Sequence, residues 1–445
     1  MFKRIILFGM ILSVLLSGVY ARADVLFEAQ DPTRVPMPDQ ADYLSEDGEF
    51  DYEAYDKAYM AWLEDDRQNF LSGDESASLA AYAIQAAREI LAREDQKNKV
   101  FSPVNLYLAL SMLSEITGGD TQSEILSLLD AENIEALRRR ANTIFLSVYE
   151  NDGQTTSIPA ASIWLRNDIS YKPDALEYLC KDYFASSFAG TMGDSEYDRE
   201  IQSWLNEKTG GLLEEQAKNI TFDPDTIISL ATSLYFKAGW TGEFSKSNTK
   251  TDVFHAVKGD QQAEFMHKGG SDTYYWGENF GAVALSMTNG GKMWFILPDE
   301  GISPESLFEN EAVLRLTTDP AAWQNQTRLI INKAIPKFDA TGENDLIKSL
   351  KNLGVQLAFD PKKSDFTPLT DIPEIAVSKA QHDARVKIDE KGVEAAAYTV
   401  IMAYATSARP PEEKMDFIVD RPFAFLITSD DGFPLFTGIV NTIEN

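Results

Sequence analysis

Residues Glu390 to Ser407 read EKGVEAAAYTVIMAYATS, and the placing of this stretch decides the fold. It is built largely of small residues and carries no charge after Glu394. Local propensity makes Glu394-Ala395-Ala396-Ala397 a helix start, with Gly392 as a turn or cap ahead of it. Alternation gives a second reading. Alternate side chains of an extended strand share a face, and Val393, Ala395, Ala397, Thr399, Ile401, Ala403 and Ala405 then form one row, every member small or apolar. That row could enter the middle of a sheet without burying a charge. The opposite row carries Glu394, Tyr398, Met402 and Tyr404. The same residues therefore suit both an exposed loop and a central strand.

Strand-like runs surround this segment. Downstream, Phe417-Ile418-Val419 ends at Asp420-Arg421-Pro422, and Phe423 to Ile427 resumes as a buried strand, with Leu435 to Gly438 closing a hairpin. Upstream, Leu234-Tyr235-Phe236-Lys237-Ala238-Gly239-Trp240 is a strand ending in Gly and Trp. Leu329 to Ile335 is another, leaving for a turn at Pro336-Lys337-Phe338. Val283 to Ser286 and Met293 to Leu297 alternate with Gly- and Asn-rich turns. Helical patterns cover Ala80 to Ala92 and Leu106 to Ile116, and Pro103 suits the first turn of the second because it has no amide hydrogen to lose. Ser102 reads as its cap. Strands and helices are mixed without strict alternation, as in an α+β fold.

The chain has 445 residues, enough for two average domains or one large one, and its 44% hydrophobic content suits a substantial core. A net charge of -30 argues against a broad nucleic-acid surface, which needs clustered Lys and Arg. Residues 1–23 carry Lys3 and Arg4, an apolar run from Ile5 to Leu16, then Ala21-Arg22-Ala23. This is the order of a secretory signal peptide, with cleavage expected after Ala23. The apolar run is short for a membrane span, so the expectation is a secreted chain, or a periplasmic one in a bacterium, without membrane attachment after cleavage. Cys180 is the sole cysteine. No intramolecular disulfide can form, and the thiol reads as buried and inert within a helix.

Residues 24–75 form an acidic, Tyr-rich extension whose first part, with Pro32, Pro36 and Pro38, reads as a linker. Tyr52, Tyr55, Tyr59 and Trp62 recur at three- and four-residue intervals, along one helix face that packs on the main body or docks a partner. Three histidines, His255, His267 and His382, leave little material for a metal site or a shuttling network. No HExxH, GxxxxGK[ST] or GxSxG pattern occurs. A secreted Ser-His-Asp hydrolase stays open, because triads assemble in space.

Glu390-Lys391-Gly392-Val393-Glu394-Ala395-Ala396-Ala397 resembles the hinge of the serpins, serine protease inhibitors whose exposed reactive loop inserts into their own main sheet. Val393 stands where the family usually has Thr or Ser, Tyr398 where it has a small residue, and Thr232 where it often has Asn. The resemblance spans 76–445, with the reactive loop at about 390–410. It implies a large mixed central sheet, further sheets and about eight or nine helices. It also implies a monomer without cofactor or metal, and no catalytic residue. Ile201-Gln202-Ser203-Trp204-Leu205, with Thr209-Gly210-Gly211, resembles the helix crossing the sheet. Ser102, Asn105 and His382 resemble a hydrogen-bonded cluster under it. Trp240 would mark the top of the opening, and Lys337, after a strand beside the hinge, could pair with Glu390.

Family spacing from Gly392 puts the scissile bond between Thr406 and Ser407. Thr406 fits a shallow apolar pocket and implies an elastase-like serine protease as partner. Ala405 keeps that class after a slip of one residue, while Tyr404 would suit a chymotrypsin-like pocket. Arg409 precedes Pro410, and a prolyl bond is a poor substrate. The alternative implied by Val393 and Tyr398 is a non-inhibitory serpin acting as a binding or carrier protein.

Overall fold

The computed structural model describes residues 23–443, apart from 36, 37, 39, 46, 69–72, 152–154 and 394–412. The chain opens with β1 (Asp24–Phe27), α1 (Tyr52–Gln68) and α2 (Gly73–Leu91). Next come β2 (Lys99–Phe101), α3 (Pro103–Glu115), α4 (Gly119–Leu128) and α5 (Ile134–Val148). After β3 (Glu150–Asn151) and β4 (Thr156–Arg166), α6 (Pro173–Asp182) leads to β5 (Ala185–Gly190). Then α7 (Ser195–Lys208) and α8 (Glu214–Ala217) precede β6 (Ile228–Gly239), the strand read from its Gly-Trp end. A run of strands follows: β7 (Thr249–Ala256), β8 (Gly259–Trp276), β9 (Phe280–Ser286) and β10 (Lys292–Pro298). Beyond α9 (Ala312–Thr318) lie β11 (Gln326–Pro336), β12 (Phe338–Asp345) and α10 (Ile347–Asn352). The chain closes with β13 (Gln381–Ile388), β14 (Gly392–Val393), β15 (Lys414–Ile418), β16 (Phe423–Thr428) and β17 (Pro434–Val440).

Two sheets organise the molecule. The central one runs β1-β5-β4-β6-β14-β13-β12, with β3 beside β4. It is mixed, since β4 pairs β5 in parallel and β6 antiparallel. The second runs β15-β11-β8-β9-β10-β16-β17-β2, with β7 beside β8. Nine of the ten helices among the described residues lie beyond the extension, at the upper end of the expected number.

The core lies between the sheets, and α3 is its axis. Ser102 starts the helix by accepting a hydrogen bond from the Asn105 amide at 3.1 Å, and Pro103 follows at a position that loses no donor. Leu106, Leu108, Leu110, Met112 and Leu113 surround the axis, so α3 is buried on all sides. It lies on the face of the central sheet formed by Leu234, Phe236 and Ala238 of β6 and Ala384, Val386 and Ile388 of β13. On the opposite face, α7 rests through Tyr197, Ile201 and Leu205 on Trp164 and Phe222. The buried indole there is Trp164, while Trp204 is only partly buried. Period-two burial on the sheet and period-3.6 burial on the helices thus place each apolar face against another.

Three expectations need correction. The start of the extension is a strand: β1 adds antiparallel to β5, pairing Asp24 with Ala189 and Val25 with Phe188. Four residues with an exposed pattern carry no strand signal of their own, and the β5 edge supplies the order. Leu329 to Ile335 belongs to β11, which pairs β8 and β15 in the second sheet; the strands flanking the hinge are β6 and β13. Cys180 does lie in a helix, α6, but is only half-buried, and partial desolvation pushes its thiol pKa up.

The aromatic stripe does lie on one helix, α1. Its rings contact one another and the extension itself. Tyr55 stacks on Tyr59 at 6.0 Å, Tyr59 meets Trp62 at 5.4 Å, and Tyr43 packs edge-on to Tyr55 at 5.4 Å. Arg34 ties this unit to the body, bonding Asp65 at 2.6 Å and the Leu146 carbonyl at 2.5 Å.

Candidate functional site: a parted sheet with a hinge wedged at its top

Among the described residues, β6 and β13 share no pairing; only β14 lies between them. Gly392 pairs Gly239 and Val393 pairs Ala238 on one side, and Val393 pairs Ile388 on the other. Gly392 is therefore neither helix cap nor plain turn. A Cβ there would land on the Ala238 carbonyl oxygen and close to the Gly239 Cα, so only glycine admits this backbone approach. Val393 is 2% exposed and joins the core beside Ala238 and Ile388.

A short turn delivers β14 into the gap. The Asp389 amide donates to the Gly392 carbonyl at 3.0 Å, and the Lys391 amide to Asp389 Oδ1 at 2.8 Å. Trp240 holds the turn twice, through its amide to the Lys391 carbonyl at 2.8 Å and its indole N–H to the Asp389 carbonyl at 2.9 Å. The Phe244 amide donates to the Glu390 carbonyl at 2.8 Å. Trp240 thus stands at the top of the opening and grips the chain entering it.

Glu390 is 4% exposed yet ionised. Burial works against its carboxylate, but its own amide, the Thr249 hydroxyl at 2.8 Å and Lys337 at 3.5 Å outweigh that and hold the pKa below the ordinary range. Burial likewise opposes the Lys337 ammonium, yet Glu264 at 3.0 Å and Glu390 hold its pKa up. The Lys337–Glu390 pairing read from the sequence is thus present as one edge of a three-residue ion cluster. Thr249 and Glu264 were not legible beforehand: they lie 141 and 73 residues from their partners, with no motif to mark them.

Beneath the gap, the Ser102 amide donates to His382 Nε2 at 2.9 Å. An accepting Nε2 requires the neutral ring with its proton on Nδ1. Burial pushes the His382 pKa down to about 4. The sign follows directly: the unfolded imidazole takes up a proton near pH 6.5 and the folded one only near 4. His382 therefore adds stability that is complete above about pH 6.5, declines as the pH falls, and is gone below about 4, on the order of 3 kcal/mol in all. Urea midpoints of the parent against His382→Asn will show this: the difference should shrink between about pH 7 and 4, and a constant difference would reject the assignment.

Asn105 Oδ1 is buried without a partner among the described residues. Two cavities open on the gap. One of about 610 Å³ lies towards α7 and α8, among Leu205, Ala217, Ser229, Ala231 and Asp383. The other, of about 90 Å³, lies over α3 among Leu110, Leu113, Leu230, Thr232 and Ala380. Of the residues singled out in the sequence, the structure brings Glu390, Gly392, Val393, Trp240 and Lys337 together at the top, and Ser102, Asn105 and His382 below. Ala395, Ala396, Ala397, Tyr404, Ala405, Thr406 and Ser407 lie outside the described residues. No group of three His, Cys, Asp or Glu side chains that could hold a metal occurs among the described residues, and no helix there is long and apolar enough to cross a membrane.

An α+β molecule whose central sheet is parted around the first residues of an incoming strand has the architecture of a serpin. The family model described as "Serpin (serine protease inhibitor)" matches residues 77–443, and the chain belongs to that family. Serpin-Z1C of Triticum aestivum is 31% identical over 369 residues, 78% of this chain and 90% of the relative. Serpin-ZX of Arabidopsis thaliana is 27% identical, covering 80% and 95%. Among solved structures, the thermophilic serpin tengpin in its native state superposes with a TM-score of 0.74 at 26% identity, covering 84% of this chain and 95% of its own. Human thyroxine-binding globulin complexed with its hormone gives 0.71 at 23% identity, covering 84% and 99%, a likeness of fold alone.

Proposed function

We propose that this protein is a secreted, monomeric inhibitor of serine proteases, most directly of elastase-like ones. The supporting observation is β14: two residues of the hinge already occupy the top of a gap that continues unpaired below them. A protease attacks the Thr406–Ser407 bond as it would a substrate and forms an acyl-enzyme. The severed segment then enters the gap, and the tethered protease is displaced before water completes the cycle. Loop insertion of this kind is strand addition coupled to release of stored strain. The protein supplies no catalytic group; its part is bait, speed and the free energy of a completed sheet. Export rests on the leader at residues 1–23 and on a chain that needs no disulfide.

Incubation with an elastase-like protease is expected to yield a complex that survives denaturing electrophoresis, with protease activity lost in proportion. A cleaved loop beside a fully active protease would reject inhibition. That outcome, with no rise in melting temperature on cleavage, would favour the binding-protein reading that Val393 and Tyr398 allow. Thr406→Arg should shift trapping towards trypsin-like proteases if Thr406 enters the primary pocket.

A further inference from the structure

The register of β14, taken together with the two faces of the gap, assigns a place to each following residue in the inserted state. This rests on the inhibitory reading above and goes on to identify the residues that fit the gap. Gly392 opposite Gly239 and Val393 opposite Ala238 fix an antiparallel alignment with β6, and Val393 opposite Ile388 fixes one with β13. Continued downward, Ala395 falls between Phe236 and Val386, and Ala397 between Leu234 and Ala384. Thr399 then falls between Thr232 and His382, and Ile401 between Leu230 and Ala380. Leu234, Phe236, Ala384 and Val386 all lie in the core on the α3 face, and residues directly opposite on neighbouring strands share a face. The row beginning at Val393 therefore points at α3.

The match along this row is specific. Where the flanking residues are bulky and the core is filled, the incoming residues are alanines. Thr399, the row's hydroxyl-bearing residue, arrives between Thr232 and His382. Those two residues and Ser102 and Asn105 meet there, and Asn105 Oδ1 is buried without a partner among the described residues. Ile401, the largest side chain after Val393, arrives between Leu230 and Ala380, which both line the cavity of about 90 Å³ over α3. An apolar cavity of about 150 Å³ holds a benzene ring, so this smaller one suits a branched four-carbon chain. Val400, of opposite parity, points towards the roomier space below α7, beside Ala231.

We infer that Thr399 and Ile401 are the positioning residues of insertion, Ile401 filling the cavity over α3 and Thr399 donating its hydroxyl to Asn105 Oδ1. The residue facing the protease then has no part in setting the depth of insertion.

The test compares Ile401→Ala with Val400→Ala, each removing methyl groups from one parity. Both variants are expected to keep the parent's melting temperature while intact. After cleavage, Ile401→Ala should melt about 5 °C below the cleaved parent and release several-fold more cut inhibitor per covalent complex. Val400→Ala should match the parent. Thr399→Val should lower the cleaved midpoint, and its effect should vanish in an Asn105→Leu background. The reverse parity, or equal effects at 400 and 401, would overturn the inference while complexes still form. Failure of every variant and of the parent to form complexes would instead overturn the inhibitory reading.

Discussion

Cutting the chain between Thr406 and Ser407 is expected to raise its thermal midpoint by on the order of 20 °C. The edges of β6 and β13 below Val393 are unpaired with each other, and β14 covers only their top. A strand entering there satisfies both edges. About a dozen residues at about 1 kcal/mol per net hydrogen bond give on the order of 10 kcal/mol, and burial of the small apolar row adds to it. For a chain of this size each kcal/mol is worth about 2 °C. Ten kcal/mol is also comparable to the whole stability of a typical domain, so the uncut molecule must be held by a barrier rather than by its equilibrium. Scanning calorimetry of intact and nicked protein at one pH settles the matter. An unchanged midpoint would mean that the severed segment stays outside the sheet.

Val393→Arg is expected to lower the yield of covalent complex at least 100-fold while the loop is still cut at the parent's rate. Val393 sits 2% exposed between Ala238 and Ile388, and no carboxylate faces that position from either paired residue. An unpaired guanidinium there costs several kcal/mol, and each 1.4 kcal/mol lost from the insertion barrier is tenfold in rate. Insertion would then lose to hydrolysis of the acyl-enzyme. Val393→Thr, uncharged and β-branched, should behave as the parent does. Electrophoresis for complex and a chromogenic assay for residual protease separate the two outcomes. Trapping by the arginine variant at the parent's yield would show that Val393 need not enter the sheet.

Much of this arrangement was legible because its signals are local. Ser102-Pro103 marks a helix start wherever it occurs, and the capping bond to Asn105 confirms it. The Gly-Trp end of β6, the β16–β17 hairpin and the period-two row after Val393 follow from burial on alternate faces. The helical propensity of the Glu394 segment misleads about Gly392, whose reason is the nearness of the Ala238 carbonyl, a neighbour more than 150 residues away. β1 was invisible because its order comes from the β5 edge. Leu329 to Ile335 reads as a strand from its own residues, but the choice between two sheets depends on β8 and β15. Thr249 and Glu264 complete the charge cluster at Glu390 only after the β7–β8 hairpin has folded against the turn.

The most direct measurement of the central claim, that the parted sheet is a vacant strand position for the chain's own bait, is amide hydrogen exchange on β6 and β13 before and after cleavage at Thr406–Ser407. Amides between Ile228 and Lys237, and those of β13, should gain protection along their whole length in the nicked protein, together with those of residues 394–403. If the edges below Ala238 exchange as fast after the cut as before it, the gap does not receive the loop and the account is wrong.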